Sequence, residues 1–130
     1  MNQAERSPLH DAAMDDNVSV MEALLAGGES PDVQDWQGFT PLHFAAQQYS
    51  LSVAAMLLDA GASVDVENSF GNTPLFVAVF NSNGRGGLIR LLRSYGADPL
   101  HVNTSGQTPV GLARLIANSD VAQFFMDVTE

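Results

Sequence analysis

The chain has 130 residues, no cysteine and a net charge of −10, and its apolar content of 45% is that of a folded domain. The lack of cysteine excludes a disulfide framework and a thiolate metal site, and no apolar run is long enough to cross a bilayer. The first ten residues lack the apolar stretch of a secretion signal, so we expect a single cytoplasmic domain over residues 1–130.

A short motif, Ser or Thr followed by Pro and an apolar residue, occurs four times along the chain. It begins at Ser7, Thr40, Thr73 and Thr108, at intervals of 33, 33 and 35 residues. A hydroxyl side chain accepts hydrogen bonds from the free N–H groups at a helix start, and proline fits the first helical position. Each copy of the motif therefore predicts the beginning of a helix.

A leucine pair follows each of the first three motif copies, inside a second predicted helix. Glycine comes shortly after each pair, at Gly28, Gly61 and Gly96. Glycine readily takes the left-handed conformation that ends a helix. Because a unit of this size cannot bury its own apolar face, the period predicts helix–turn–helix units stacked in a row.

These units resemble the ankyrin repeat. The second unit, DWQGFTPLHFAAQQYSLSVAAMLLDAGASVD, fills nearly every family position, and SPLHDAA, TPLFVAV and TPVGLAR begin the inner helices of the others. The resemblance implies an all-α ankyrin-repeat solenoid of four stacked helix–turn–helix units with finger-like β-turn loops. The four repeats span approximately residues 2–34, 35–67, 68–102 and 103–130.

Both ends of the array resemble capping repeats. Asp11 replaces an apolar residue of the later repeats, and Glu5 replaces their turn glycine, which predicts a polar outer face for the first repeat. In the last repeat, a helix carrying Val121, Phe124 and Phe125 is predicted to run to the terminus because no closing glycine follows.

The two extra residues of the third repeat fall in the segment 81–87, NSNGRGG, between its inner and outer helices. Asn, Ser and Gly predict a flexible turn. An anion cradle around Arg85 is a weaker alternative, because no strand precedes the segment and the chain has no lysine for a phosphate loop.

The negative charge is concentrated in the first two repeats. Residues 1–70 carry eleven acidic residues and one arginine, whereas residues 71–130 carry four of each sign. Such a field disfavours direct binding of nucleic acid and would accelerate encounter with a basic protein. The alternative is that the charge serves solubility alone.

The family resemblance implies that a protein partner binds the concave face formed by the finger loops and the inner helices. Carried over by register, the predicted partner-binding residues are Met14, Asp15, Gln34, Trp36, Gln37, Phe39, Gln47, Gln48, Glu67, Ser69, Phe70, Asn72, Phe80 and Asn81. The same register adds Arg6, Tyr95, Thr104, Gln107 and Leu115. Trp36, Phe39 and Phe70 have the character of interface anchors, unless the two phenylalanines pack between neighbouring fingers.

Two histidines, His10 and His43, lie in the motif and invite a catalytic or metal-binding interpretation. The family resemblance implies instead that each ring braces its turn through hydrogen bonds to the Ser or Thr hydroxyl and nearby backbone. No Cys or further His stands near them to complete a metal site. His101 stands alone in a finger loop and is predicted to be a surface residue.

The sequence therefore predicts a non-catalytic protein–protein interaction module that binds a protein partner with a basic surface. We expect no cofactor, no metal, no direct nucleic-acid or membrane binding, and a monomer when free. A narrower alternative is a stand-alone acidic inhibitor, such as an immunity protein that neutralises a cationic toxin or nuclease. An enzyme would need a site built on the fingers, and the sequence shows none.

Overall fold

The computed structural model describes residues 6–116 and 121–129. Over these residues the chain forms α1 (Pro8–Met14), α2 (Val18–Ala26), α3 (Pro41–Gln48), α4 (Leu51–Asp59), α5 (Pro74–Phe80), α6 (Gly87–Ser94), α7 (Pro109–Leu115) and a 3₁₀ helix (Val121–Phe125). The inner helices α1, α3, α5 and α7 pack each on the next, as do the outer helices α2, α4 and α6. The predicted all-α solenoid is confirmed.

The inner helices begin where the motif predicts. Ser7 and Thr40 accept a hydrogen bond from the backbone N–H three residues on, and Thr73 and Thr108 do the same. Beyond the outer helices, Gly28, Gly61 and Gly96 have φ of 91°, 96° and 92°, the left-handed conformation expected there. Both ends of each helix pair are thus set by local sequence.

The finger loops are β-turns held by a side-chain carboxylate or amide. In the second repeat, Asp35 Oδ1 accepts hydrogen bonds from the N–H groups of Gln37 and Phe39, both at 2.9 Å. Asn68 and Asn103 hold the next two fingers in the same way. Neighbouring fingers are joined through the backbone, since the Ser69 N–H donates to the Gln37 carbonyl at 2.8 Å.

In the first repeat, the inner helix has a polar residue on its outer face, but the outer helix exposes an apolar one. Asp11 is exposed, as predicted, whereas Val20 is 42% exposed although the equivalent Val53 of the second repeat is fully buried. The prediction of a polar outer face was therefore wrong for α2. Its apolar residue is uncovered because no helix among the described residues packs there. Glu5 lies outside the described residues.

The predicted C-terminal helix is a short 3₁₀ helix that ends at Phe125 and is followed by a turn, so it does not run to the terminus. It is held against α6. The guanidinium of Arg90 lies 4.5 Å from the Phe124 ring centroid, and that of Arg93 donates to both Asp127 carboxylate oxygens at 2.8 and 2.7 Å. These contacts hold the 3₁₀ helix beside α6 in the last repeat.

The glycine-rich segment 81–87 is more constrained than a flexible turn. A Cβ at Gly86 would lie 2.2–2.5 Å from three ring atoms of Phe124, so a side chain there would force this ring to shift. The guanidinium of Arg85 lies 4.1 Å from the Tyr49 ring centroid and donates to the backbone carbonyls of Ser82 and Asn81. Arg85 is therefore engaged within the fold, which disfavours the anion cradle.

Candidate functional site

The finger loops and the exposed sides of the inner helices form one surface, which we call the finger–helix face. Nine of the residues predicted to bind a partner are exposed: Asp15, Gln34, Trp36, Gln47, Gln48, Glu67, Ser69, Phe70 and Phe80. Five are half-buried: Met14, Gln37, Phe39, Asn72 and Asn81. The most exposed aromatic side chains among them are Trp36 at 71%, Phe80 at 69% and Phe70 at 51%.

An apolar groove lies between the second and third repeats. Its volume is about 300 Å³, and it is lined by Phe39, Gln47, Asn72, Phe76, Val77, Phe80 and Asn81. The rings and Val77 form the wall, and the three amide side chains stand around it. Such a groove with a few polar groups is suited to an apolar side chain whose backbone makes hydrogen bonds at the rim.

A polar groove lies one repeat earlier. It encloses about 490 Å³ and is lined by Arg6, Asp11, Asp35, Trp36, Gln37 and Phe44. Arg6 forms a long ion pair with Asp11, at 3.8 Å, and both side chains are about half exposed. The indole of Trp36 forms the outer wall of this groove and is available to stack on a cation.

Phe39 is less accessible than the other aromatic residues because it packs within its own repeat. Its ring stacks on Phe44 with a centroid distance of 5.4 Å and meets the edge of His43 at 5.5 Å. Phe39 therefore packs on the inner helix of its own repeat, which differs from the packing between neighbouring fingers given as the alternative, and one side of it lines the apolar groove. Phe70 is 51% exposed, and its ring stacks on no other aromatic ring within the described part of the chain.

Several predicted residues make contacts within the fold. The Gln34 amide donates to the carbonyls of Gly38 and Glu67, and the Asn72 amide oxygen accepts from Asn103. His101 is half-buried rather than a lone surface residue, since its Nε2 lies 2.6 Å from Glu67 Oε2. Except for the bond from Gln34 to Gly38, which lies within one finger, these bonds join neighbouring fingers, so the residues help to position the face.

Tyr95 does not belong to this face. It follows the outer helix α6, and its hydroxyl donates a hydrogen bond to Asp59 on α4. The expectation that Tyr95 contributes to the partner-binding surface was therefore wrong, because the residue lies on the outer helices instead of the fingers.

The two motif histidines have structural positions. His43 Nδ1 accepts from the Thr40 N–H at 3.0 Å, and its Nε2–H donates to the Asn72 carbonyl of the next finger at 2.8 Å. His10 repeats this arrangement one unit earlier, reaching the Phe39 carbonyl at 2.7 Å. Burial lowers the pKa of His43 from 6.5 to about 4. A buried ring with both nitrogens engaged is a brace between repeats.

Much of the excess negative charge is engaged in hydrogen bonds. Asp35 holds a finger, Asp32 accepts from the Ser63 N–H and hydroxyl, and Asp65 accepts from the Asp98 N–H. Burial raises the pKa of Asp65.

Four other acidic residues make no hydrogen bond or ion pair through their carboxylates among the described residues: Asp15, Asp16, Glu22 and Glu29. These four lie on or beside α1 and α2, so the free charge is concentrated on the first repeat.

Five groove residues were not predicted to bind a partner: Phe76 and Val77 of the apolar groove, and Asp11, Asp35 and Phe44 of the polar groove. Phe76 occupies the position of His10 and His43 in the motif, so its departure from that pattern was the available signal.

Within residues 6–116 and 121–129, no three His, Cys, Asp or Glu side chains are grouped as a metal site requires. Over the same residues, no helix has the length and apolar character needed to span a membrane.

Comparison with known proteins identifies the repeats. A family model described as ankyrin repeats in three copies matches residues 1–68, and a model of the single ankyrin repeat matches residues 70–104. No curated protein matches the chain. Together the two models cover most of the sequence, and they agree with the stacked helix pairs and fingers. The chain therefore belongs to the ankyrin-repeat family, whose repeats are generally protein–protein interaction modules.

Proposed function

We propose that this chain is a non-catalytic module that binds a protein partner through the finger–helix face of its first three repeats. The observation that carries the proposal is the exposure of three large aromatic side chains, Trp36, Phe70 and Phe80, on one face. Exposed apolar clusters inside a polar rim are typical of interaction sites, and aromatic residues dominate interface hot spots.

The charge of the first repeat supports a basic partner. Asp15, Asp16, Glu22 and Glu29 have carboxylates without a partner among the described residues, and their field adds to that of the rest of residues 1–70. Complementary charge accelerates association more than it strengthens the complex. The same charge favours the narrower possibility of an acidic inhibitor, such as an immunity protein that neutralises a cationic toxin or nuclease.

Affinity capture followed by mass spectrometry tests the proposal. The natural chain should retain a partner that is lost from the triple variant Trp36→Ala, Phe70→Ala, Phe80→Ala. Phe39 is left in place because it packs against Phe44, so its removal would mix stability with binding. Trp36→Ala alone should weaken binding by about 2 kcal/mol or more, with the melting temperature nearly unchanged.

A matched control comes from the outer helices, where Val18, Val20 and Leu51 are exposed at 41%, 42% and 44%. The triple variant Val18→Ala, Val20→Ala, Leu51→Ala removes apolar surface from the opposite side and should retain the partner. If this variant loses the partner while the aromatic variant keeps it, the binding surface lies on the outer helices and the proposal is wrong.

The partner's charge is tested separately by association kinetics. The on-rate should fall markedly between low and physiological salt, and neutralising the four unpaired acids as Asn or Gln should reduce that dependence. A salt-independent on-rate would assign the charge to solubility alone.

A further inference from the structure

The apolar and polar grooves share two equivalent positions in successive repeats. Arg6 and Phe44 line the polar groove, and Phe39 and Val77, each 33 residues later, line the apolar groove. The register therefore relates the two grooves by one repeat. Because packed helices lie about 8–10 Å apart, the grooves should be separated by roughly that distance along the face.

A departure from the motif contributes to the apolar character of the apolar groove. Phe76 stands where the first two repeats have a histidine, and together with Val77 and Phe80 it makes a wall without hydrogen-bonding groups. Phe80 is 69% exposed, so a bound apolar side chain would cover surface that is otherwise in water. Burial of such surface is favourable by about 25 cal/mol per Å².

The polar groove already holds a cation. The Arg6 guanidinium reaches Asp11 at 3.8 Å and donates to the Met14 sulfur at 2.9 Å, beside the exposed indole of Trp36. An exposed ion pair of this length contributes little to stability, so a partner's cation can replace it. The acidic side chains and the indole face together suit a guanidinium or an ammonium group.

We infer that the partner presents a segment with two anchors, an apolar side chain in the apolar groove and an arginine or lysine in the polar groove. This inference rests on the proposed function and specifies the chemistry of the partner. A spacing of one repeat corresponds to about three residues of an extended segment, at 3.3 Å each. In a helical segment, with a rise of 1.5 Å, it corresponds to about seven residues on one face.

Selection from a random peptide library displayed on phage tests the inference. Peptides enriched on the natural chain should share a basic and a large apolar residue separated by about three or seven positions. For a synthetic copy of an enriched peptide, Phe80→Ser should raise the Kd about tenfold or more, and Trp36→Ala combined with Asp11→Asn should do likewise. Leu51→Ala, an exposed apolar change on an outer helix, should leave the Kd unchanged.

Double-mutant cycles assign each anchor to its groove. Replacing the apolar peptide residue by alanine should remove the effect of Phe80→Ser, and replacing the basic residue should remove the effect of the Trp36 and Asp11 changes. Additive losses, enriched peptides without the paired residues, or failure to enrich any peptide would overturn the inference. If the natural chain still captures a partner that the aromatic triple variant loses, the proposed function survives that outcome. If the aromatic triple variant keeps the captured partner, both the inference and the proposed function are wrong.

Discussion

Protonation of His43 should destabilise the fold between neutral and mildly acidic pH. The ring is fully buried, its Nδ1 accepts from the Thr40 N–H, and its Nε2–H donates to the Asn72 carbonyl. A proton on Nδ1 would face the Thr40 N–H donor and would place a charge in the core. Burial accordingly lowers the pKa of the ring to about 4.

The sign and size follow from linkage. As the pH falls below 6.5, the unfolded chain takes up a proton at this histidine while the folded chain does not, so the free energy of unfolding decreases. The decrease continues until the pH reaches the folded pKa of about 4, below which both states are protonated. A difference of this size in pKa corresponds to about 3 kcal/mol, a large share of the 5–15 kcal/mol typical of a domain.

Urea unfolding of the natural chain and of His43→Gln, from pH 7 to pH 4, measures the effect. Carboxylates titrate in both proteins, so the difference between their pH profiles isolates the histidine. The natural chain should lose about 3 kcal/mol more than the variant over this range. Parallel profiles, or an imidazole that titrates near its ordinary pKa by NMR, would refute the assignment of His43 as a neutral buried brace.

Two further predictions concern the ends of the array. Val53→Ala should lower the free energy of unfolding by about 2 kcal/mol or more because it empties a buried position, whereas Val20→Ala, at the same position of the first repeat, should cost less than about 1 kcal/mol. Equal losses on urea unfolding would mean that α2 is covered. Gly86→Ala should cost about 1–3 kcal/mol because the new Cβ overlaps the Phe124 ring, and a Phe124→Ala background should relieve this cost. Additive losses in the double variant would contradict the contact.

The features that could be predicted from sequence depend on neighbouring residues in the chain. Thr40 caps α3 through an N–H three residues away, and Gly61 follows α4 with a positive φ. The stacking order also follows, because the period leaves each helix pair with an apolar face that only its neighbours can cover. The order and stacking of the helix pairs were therefore predictable from the sequence.

The features that were missed depend on contacts between residues far apart in sequence, or on whether another helix covers a given surface. Phe124 contacts Gly86 across the last repeat, and Glu67 meets His101 between two fingers. Val20 has the sequence of an internal repeat, so only the absence of a packed helix reveals its exposure. Register predicted that Trp36 and Phe70 are exposed, but their role in binding stays a prediction.

The repeat register alone was insufficient to predict the grooves of the candidate site. In the first two repeats, the motif histidine donates to the carbonyl of the following finger, so its ring is committed to the contact between repeats. The Phe76 ring has no N–H to donate, and it instead forms part of a groove with Val77 and Phe80. The third repeat thus exchanges a hydrogen-bonded brace for apolar surface, and it does so beside the exposed aromatic residues. This departure from the repeat motif is the most direct sequence indication of the apolar groove, where we propose that a partner binds.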